Sequence, residues 1–262
     1  MTAPLLFITG ASSGIGQAMA LEWARRGGRL ALVARRGDEM RAWVAAQGWS
    51  PERAAVYVAD ARDLAAMTAA GRACIADQGL PEVVIASAGI SVGVDLSIEA
   101  DLEVLRAVVE TNNLGMAATF QPFIAPMCAR RSGRLVGIAS VAGVRGLPGH
   151  AAYSMSKAGV ISFCESLRVE CRPSGVRVVT IAPGYVDTPL TQGNSYSMPF
   201  LMPADKFARK ALDAIAAGVS MRVIPWQMGV LARVLRILPD WLYDRAVSGR
   251  GRKARNVSPH AQ

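Results

Sequence analysis

The chain has 262 residues, 52% of them apolar and 19% charged, and a formal net charge of +9. This composition suits a globular chain with a large buried core. No run reaches the roughly 18–20 apolar residues of a membrane-spanning helix, and no basic-then-apolar start marks a secretory signal. Four scattered cysteines, Cys74, Cys128, Cys164 and Cys171, and two histidines, His150 and His260, give neither a zinc site nor a disulfide framework, so no metal and a reducing cytoplasm are expected.

The first strand is "LLFIT" (5–9), which runs into a Gly- and Ser-rich turn and a helical apolar period over 15–26. "RLALVA" (29–34) and a helix over 37–46 follow, then "AAVYVA" (54–59) and a helix over 63–76. Next come "EVVIAS" (82–87), a helical stretch over 102–120, "GRLVGIAS" (133–140) and "VRVVTIAP" (176–183). Strands that are apolar throughout and alternate with helices predict a parallel sheet covered on both faces. The expected fold is therefore α/β: a Rossmann-type, doubly wound parallel sheet in a single domain.

After Pro183 the rhythm changes. "GYVDTPLTQGNSYSMPFLMP" (184–203) lacks periodicity, and loops of that length are usually functional. A helix near 205–217, a last strand "RVIP" (222–225), an apolar-basic helix over 227–238 and a disordered tail close the chain. Residues 1–225 thus read as the catalytic unit, with a substrate loop at 189–204, and 226–262 as a helical extension. From 222 onward eight arginines and lysines face only Asp240 and Asp244, so much of the positive charge sits at this end.

The turn after the first strand carries Gly10, Gly14 and Gly16. Glycines there permit left-handed backbone and close approach of a ligand. The helix that starts on the same turn points unpaired N–H groups and its dipole at the spot, which suits an anionic diphosphate. After the second strand come Arg35 and Arg36, where an acidic residue would grip the ribose of NAD. Two guanidiniums can neutralise a 2′-phosphate through forked, charge-assisted bonds; the same pair would also suit a solvated basic loop. Tyr153 and Lys157 lie four apart, on one helix face. A phenol near pKa 10 exchanges protons poorly at neutral pH, and a neighbouring ammonium lowers that value toward the working range.

Seven motifs fall in order: "TGASSGIG" (9–16), "VADARD" with Asp60, "ASAG" (86–89), "TNNLG" (111–115), "IASVAG" (138–143), "YSMSK" (153–157) and "APGYVDTP" (182–189). Together they resemble the classical short-chain dehydrogenase/reductase family from Leu5 to about Thr188. The resemblance implies that Gly10, Ser12, Ser13, Gly14, Ile15 and Gly16 cradle the cofactor phosphates. It implies that Asp60 contacts the adenine amino group, while Ala88 and Gly89 pass the adenine ribose. Arginine just after the second strand is the family's usual NADP pattern, so NADP(H) is the expected cofactor. Pro183, Gly184, Val186 and Thr188 would run beside the nicotinamide, Thr188 holding its carboxamide. Asn112 would kink its helix and hold a water in a proton relay, Ser140 would bond the substrate oxygen, Tyr153 would exchange the proton, and Lys157 would also hold the nicotinamide ribose. "ASAG" replaces the usual Asn-Asn-Ala-Gly, so the hold on neighbouring strands must differ there.

The implied reaction is hydride transfer between NADP(H) and a small carbonyl or secondary alcohol, expected to be apolar; the alternative is an idle cofactor-binding regulator or scaffold on the same fold. Selectivity is expected from 90–92, from 144–150 and from an apolar lid of Leu147, Leu190, Met198, Phe200, Leu201 and Met202. His150 either lines that pocket or sits at its rim. Over 223–255, Leu231, Val234, Leu235 and Leu238 form a stripe at helical spacing, with Trp226 and Trp241 at its ends and arginines between. One reading lays this extension on an anionic membrane surface; the other packs it on the core or a second subunit. The family resemblance implies a homodimer or homotetramer. A basic face interleaved with aromatics is missing, so nucleic acid is not an expected partner.

Overall fold

The computed structural model describes residues 3–192, 194, 197–249 and 251–255. Its elements run β1 (Leu5–Thr9), α1 (Gly14–Arg25), β2 (Arg29–Ala34), α2 (Gly37–Ala46), β3 (Ala54–Val58), α3 (Leu64–Gln78) and β4 (Val83–Ala86). Then come α4 (Asp101–Val109), a π-helical turn (Glu110–Leu114), α5 (Gly115–Arg130), β5 (Arg134–Ile138) and α6 (Ala151–Cys171). The last third holds β6 (Arg177–Pro183), β7 (Val186–Asp187), α7 (Pro189–Gln192), β8 (Met202–Pro203), α8 (Ala204–Ala217), β9 (Met221–Ile224), α9 (Trp226–Ile237) and α10 (Asp240–Val247).

Seven strands form one sheet in the order β3-β2-β1-β4-β5-β6-β9, every neighbour parallel. The period of two along each strand divides its apolar residues between two cores. Leu6, Ile8, Leu30 and Leu32 point to one face, where Met19 of α1, Met40 of α2 and Phe207 of α8 cover them. Leu5, Phe7, Ala31 and Val33 point to the other, under Met67 of α3, Phe123 of α5 and Val160 of α6. The expected doubly wound fold is thus observed. Chain order reverses at β1, which lies between β2 and β4, so a crevice opens beyond the carboxyl ends of those strands.

Four expectations change. The helix expected over 102–120 is two helices joined by the π-helical turn, and it continues to Arg130. The loop expected over 184–203 contains α7 and a small parallel pair in which Val186 faces Met202. The apolar stripe on α9 is rotated: Met228, Gly229 and Ala232 are buried, whereas Val234 is exposed along with Trp226, Val230, Ile237 and Trp241. The tail does not hang free over 251–255, because Arg255 makes two 2.8 Å bonds to Asp101. The remainder of the expected disordered tail, 256–262 with His260, lies outside the described residues.

The segment after β5 ties down the extension. Arg145 donates to the carbonyl of Leu238 at 2.7 Å, pairs with Asp240 at 2.7 Å and stacks 3.9 Å from the Tyr243 ring centroid. Tyr243 in turn donates its hydroxyl proton to the carbonyl of Gly146. One guanidinium thereby holds the end of α9 and the start of α10 against the segment that leads to Tyr153.

Candidate active site

The carboxyl ends of β1, β2, β3, β4, β5 and β6 open on one cavity of about 670 Å³. That volume lies within the roughly 300–1,000 Å³ usual for small-molecule sites. Every site residue read from the sequence lines it except Asn112.

The glycine turn forms one end. Gly10 and Gly14 adopt φ of +66° and +57°. A Cβ on Gly10 would lie 2.7 Å from the Cα of Ala88, and one on Gly16 would collide with the carbonyl oxygen of Gly10. The turn thus packs backbone on backbone, and side chains there would push β1 and β4 apart. Ser13, at the start of α1, makes no side-chain capping bond, and the first turn has no acidic residue. The positive end of α1 is left facing the cavity. The altered "ASAG" loop is held from the neighbouring strand: the N–H groups of Ser87 and Ala88 both donate to Thr9 Oγ1, at 3.1 and 3.2 Å. Thr9 was not singled out in the sequence, since nothing local marks a threonine at a buried strand end as an anchor.

Arg35 and Arg36 line the same cavity beyond β2. Arg35 lies 3.9 Å from Asp60, which Arg62 approaches to 3.6 Å, and Arg36 pairs with Glu39 at 3.0 Å. Two guanidiniums, of Arg35 and Arg62, therefore flank Asp60 on this wall, and that of Arg36 is paired with Glu39.

At the other end stand Ser140, Tyr153 and Lys157. Ser140 follows β5 and its Oγ accepts from the Ala142 N–H at 3.2 Å. Lys157 Nζ lies 5.7 Å from the centre of the Tyr153 ring and donates to the carbonyl of Ile138 at 2.8 Å. Burial pushes the Lys157 ammonium down to about 8. Burial also raises the Tyr153 phenol above its ordinary value, and a hydrogen bond with Ser140 opposes that shift. The expected lowering of Tyr153 by Lys157 is thus reversed here. Desolvation is the larger cause, and it outweighs the hydrogen bond with Ser140.

Asn112 is buried behind this wall, in the π-helical turn. Its side-chain oxygen accepts from Ile90 N at 2.9 Å, and its amide donates to Ile90 O at 3.0 Å and Ser156 Oγ at 2.9 Å. The wide turn is what swings Asn112 inward to clasp the loop after β4. Lys157 Nζ and Asn112 Oδ1 lie 3.4 and 3.1 Å from where a Cβ on Gly89 would sit, so a side chain at that position would crowd both.

Leu147, His150, Ile90, Ser91 and Leu190 also line the cavity. The rest of the expected lid does not. Met202 is drawn into the core by its pairing with β7, Met198 lies against Asn194, and Phe200 and Leu201 face outward. Val92 packs with Val94, Val104 and Val108 instead. Lys253 enters the lining from the far end of the chain, and no periodicity or spacing pointed to it.

The fit to a dinucleotide rests on these features: an uncapped, acid-free helix start, guanidiniums beyond β2 and a buried amine at the opposite end. Among the described residues no group of three or more His, Cys, Asp or Glu side chains could hold a metal ion. None of the described helices is long and apolar enough to cross a membrane.

Comparison with known proteins agrees with this fold. Residues 5–198 match the short chain dehydrogenase family. An oxidoreductase of Myxococcus xanthus is 40% identical over 242 residues, which cover 91% of this chain and 94% of that protein. One from Mycobacterium tuberculosis is 35% identical over 250 residues, covering 94% and 98%. A short chain dehydrogenase from Burkholderia cenocepacia, solved in complex with NADP, superposes with a TM-score of 0.80 over 93% of this chain and 97% of that one; at 21% identity the likeness is one of fold.

Proposed function

The chain belongs to the short-chain dehydrogenase family, oxidoreductases that act between CH–OH and C=O groups with a nicotinamide cofactor, and we propose that it is an NADP(H)-dependent enzyme acting on a ketone, an aldehyde or a secondary alcohol with an apolar body. The observation that carries this reading is the convergence of Ser140, Tyr153 and Lys157 on one end of a cavity whose other end is lined by Arg35 and Arg36.

The guanidiniums of Arg35 and Arg36 bind and orient a 2′-phosphate by charge-assisted hydrogen bonds. The start of α1, with Ser12, Ser13 and Ile15 beside the glycines, receives the diphosphate. Asp60 takes the adenine amino group, Ala88 and Gly89 pass its ribose, and the segment from Pro183 and Gly184 through Val186 to Thr188 flanks the nicotinamide. When bound, the reduced nicotinamide supplies a hydride. Ser140 donates a hydrogen bond to the substrate oxygen as negative charge develops on it. Tyr153 delivers its phenolic proton to that oxygen. A phenol that burial keeps protonated suits this donor role. Lys157 places positive charge beside the phenolate that is left and donates to the ribose. Asn112 keeps the loop over Gly89 in place through its paired bonds to Ile90. Leu147, Leu190 and Ile90 exclude water from the reacting end.

The test is NADPH consumption across ketones and aldehydes of graded polarity, repeated with NADH. Turnover of at least one carbonyl with a preference for NADPH is expected. Inactivity across the set would favour an idle cofactor-binding scaffold, and equal use of NADH would remove the role given to the arginine pair.

A further inference from the structure

The segment 251–255 packs against the loops that follow β4 and β5 and enters the cavity lining through Lys253. Its backbone lies between two glycines. Gly93 N–H donates to Ala254 O at 3.2 Å, and a Cβ on Gly149 would sit 2.9 Å from Lys253 N. Arg255 grips the buried Asp101 with two 2.8 Å hydrogen bonds, and Arg252 pairs with Asp95 at 3.3 Å. A second oxygen contact joins these anchors, since Asp95 N–H donates to Asp101 at 2.6 Å. The strap is thus seated on both sides by features that leave it little freedom.

Between its two arginines the strap sends one side chain inward. Lys253 lines the cavity, and its Nζ donates to Asn194 Oδ1 at 2.8 Å and lies 3.5 Å from Leu190 O. Leu147, His150 and Leu190 line the same cavity. Among the described residues no carboxylate lies within ion-pair distance of it, and the acid on the cavity wall is Asp60, at the adenine end. Burial lowers the Lys253 ammonium with no nearby acid to oppose the shift. A half-buried ammonium held by two neutral oxygens retains a donor and an uncompensated charge, and an incoming anion would relieve both.

Resting on the carbonyl-substrate reading, we propose that Lys253 is a specificity residue that binds an anionic group, a carboxylate or a phosphate, carried on the apolar body of the carbonyl substrate. The two arginines act as clasps that hold the strap, and the lysine between them reads the substrate. Recognition by a single point charge favours anions over neutral isosteres without fixing the planar geometry that an arginine would impose.

The experiment measures binding without turnover. Calorimetric titrations of the full chain saturated with NADP+ use three ketones: 4-acetylbenzoate, 4-acetylphenyl phosphate and the uncharged methyl 4-acetylbenzoate. At least one anion is expected to bind about tenfold more tightly than the ester, the range of one charged hydrogen bond, and the two anions rank the headgroups. Lys253→Met should abolish the preference and leave the ester within twofold, and Lys253→Arg should retain it. Equal affinities in the wild type, failure of all three to bind, or a Lys253→Met variant that weakens ester and anions alike would overturn the proposal; the last result would make the lysine a strap anchor. Lys253-dependent anion binding without oxidation of NADPH by any of the ketones would instead remove the reductase reading and leave the anion site standing.

Discussion

Lys157 Nζ reaches across from α6 to donate to the carbonyl oxygen of Ile138, 2.8 Å away at the end of β5. The bond joins the helix that carries Tyr153 to the strand that leads into Ser140. It also holds an ammonium in a place where burial lowers its pKa from 10.5 to about 8.

That burial makes the stability of the cofactor-free protein depend on pH in a definable window. Between about pH 8 and 10.5 the unfolded chain keeps a proton on Lys157 that the folded chain has released, so this group's contribution to stability rises with pH there. Denaturation of the wild type and of Lys157→Met at a series of pH values isolates it. The wild type should gain about 2 kcal/mol on the variant between about pH 8 and 10, from ~1.4 kcal/mol per unit. Parallel profiles would show that the amine is not buried as described.

Arg35 and Arg36 should decide between the two nicotinamide cofactors. Replacing both by alanine should raise KM for NADPH by about 10- to 100-fold, as expected for charged hydrogen bonds of ~1.5–3 kcal/mol. KM for NADH should change less than threefold. Steady-state kinetics with both cofactors reads the difference, and an equal rise for both would mean that the arginines only shape the loop.

The outward row on α9 and α10 is a third place to look. Ile237 and Trp241 are 80% and 71% exposed, and Trp226, Val230 and Val234 extend the row. A patch of this kind is a candidate interaction surface, and the prediction is that a second copy of this chain covers it. Ile237→Glu with Trp241→Ser should lower the sedimenting mass and leave turnover intact. Flotation of the wild type with anionic liposomes, lost in this variant, would assign the row to a membrane surface instead.

The architecture was legible because its signals are local. Short apolar runs such as "LLFIT", alternating with helical periods, suit strands buried on both faces of a parallel sheet, and the Gly10–Gly16 spacing marks the turn that follows β1. The walls of the cavity at Tyr153 and Lys157 were legible for the same reason, since one helical turn sets their relation. The rest depended on contacts between distant segments. Met202 reads as lid material by its side chain, yet two residues of pairing with β7 take it into the core. Asn112 stands out as an asparagine, but the π-helical turn that swings it onto Ile90 has no periodic signature. Lys253 looked like one charge in a basic tail. Its place is fixed by Asp95 and Asp101, some 150 positions away, and by glycines that leave room for the backbone to pass.

The proton on Tyr153 is the centre of the proposed mechanism, and Tyr153→Phe tests it with the least disturbance to packing. With a carbonyl substrate found by the NADPH screen, kcat of the variant should fall by about 10²- to 10⁴-fold, the usual worth of a positioned acid. Its affinity for NADPH, read by fluorescence titration, should stay within twofold of wild type. A phenylalanine variant that turns over at the wild-type rate would contradict the account, because the proton would then reach the substrate oxygen by another path.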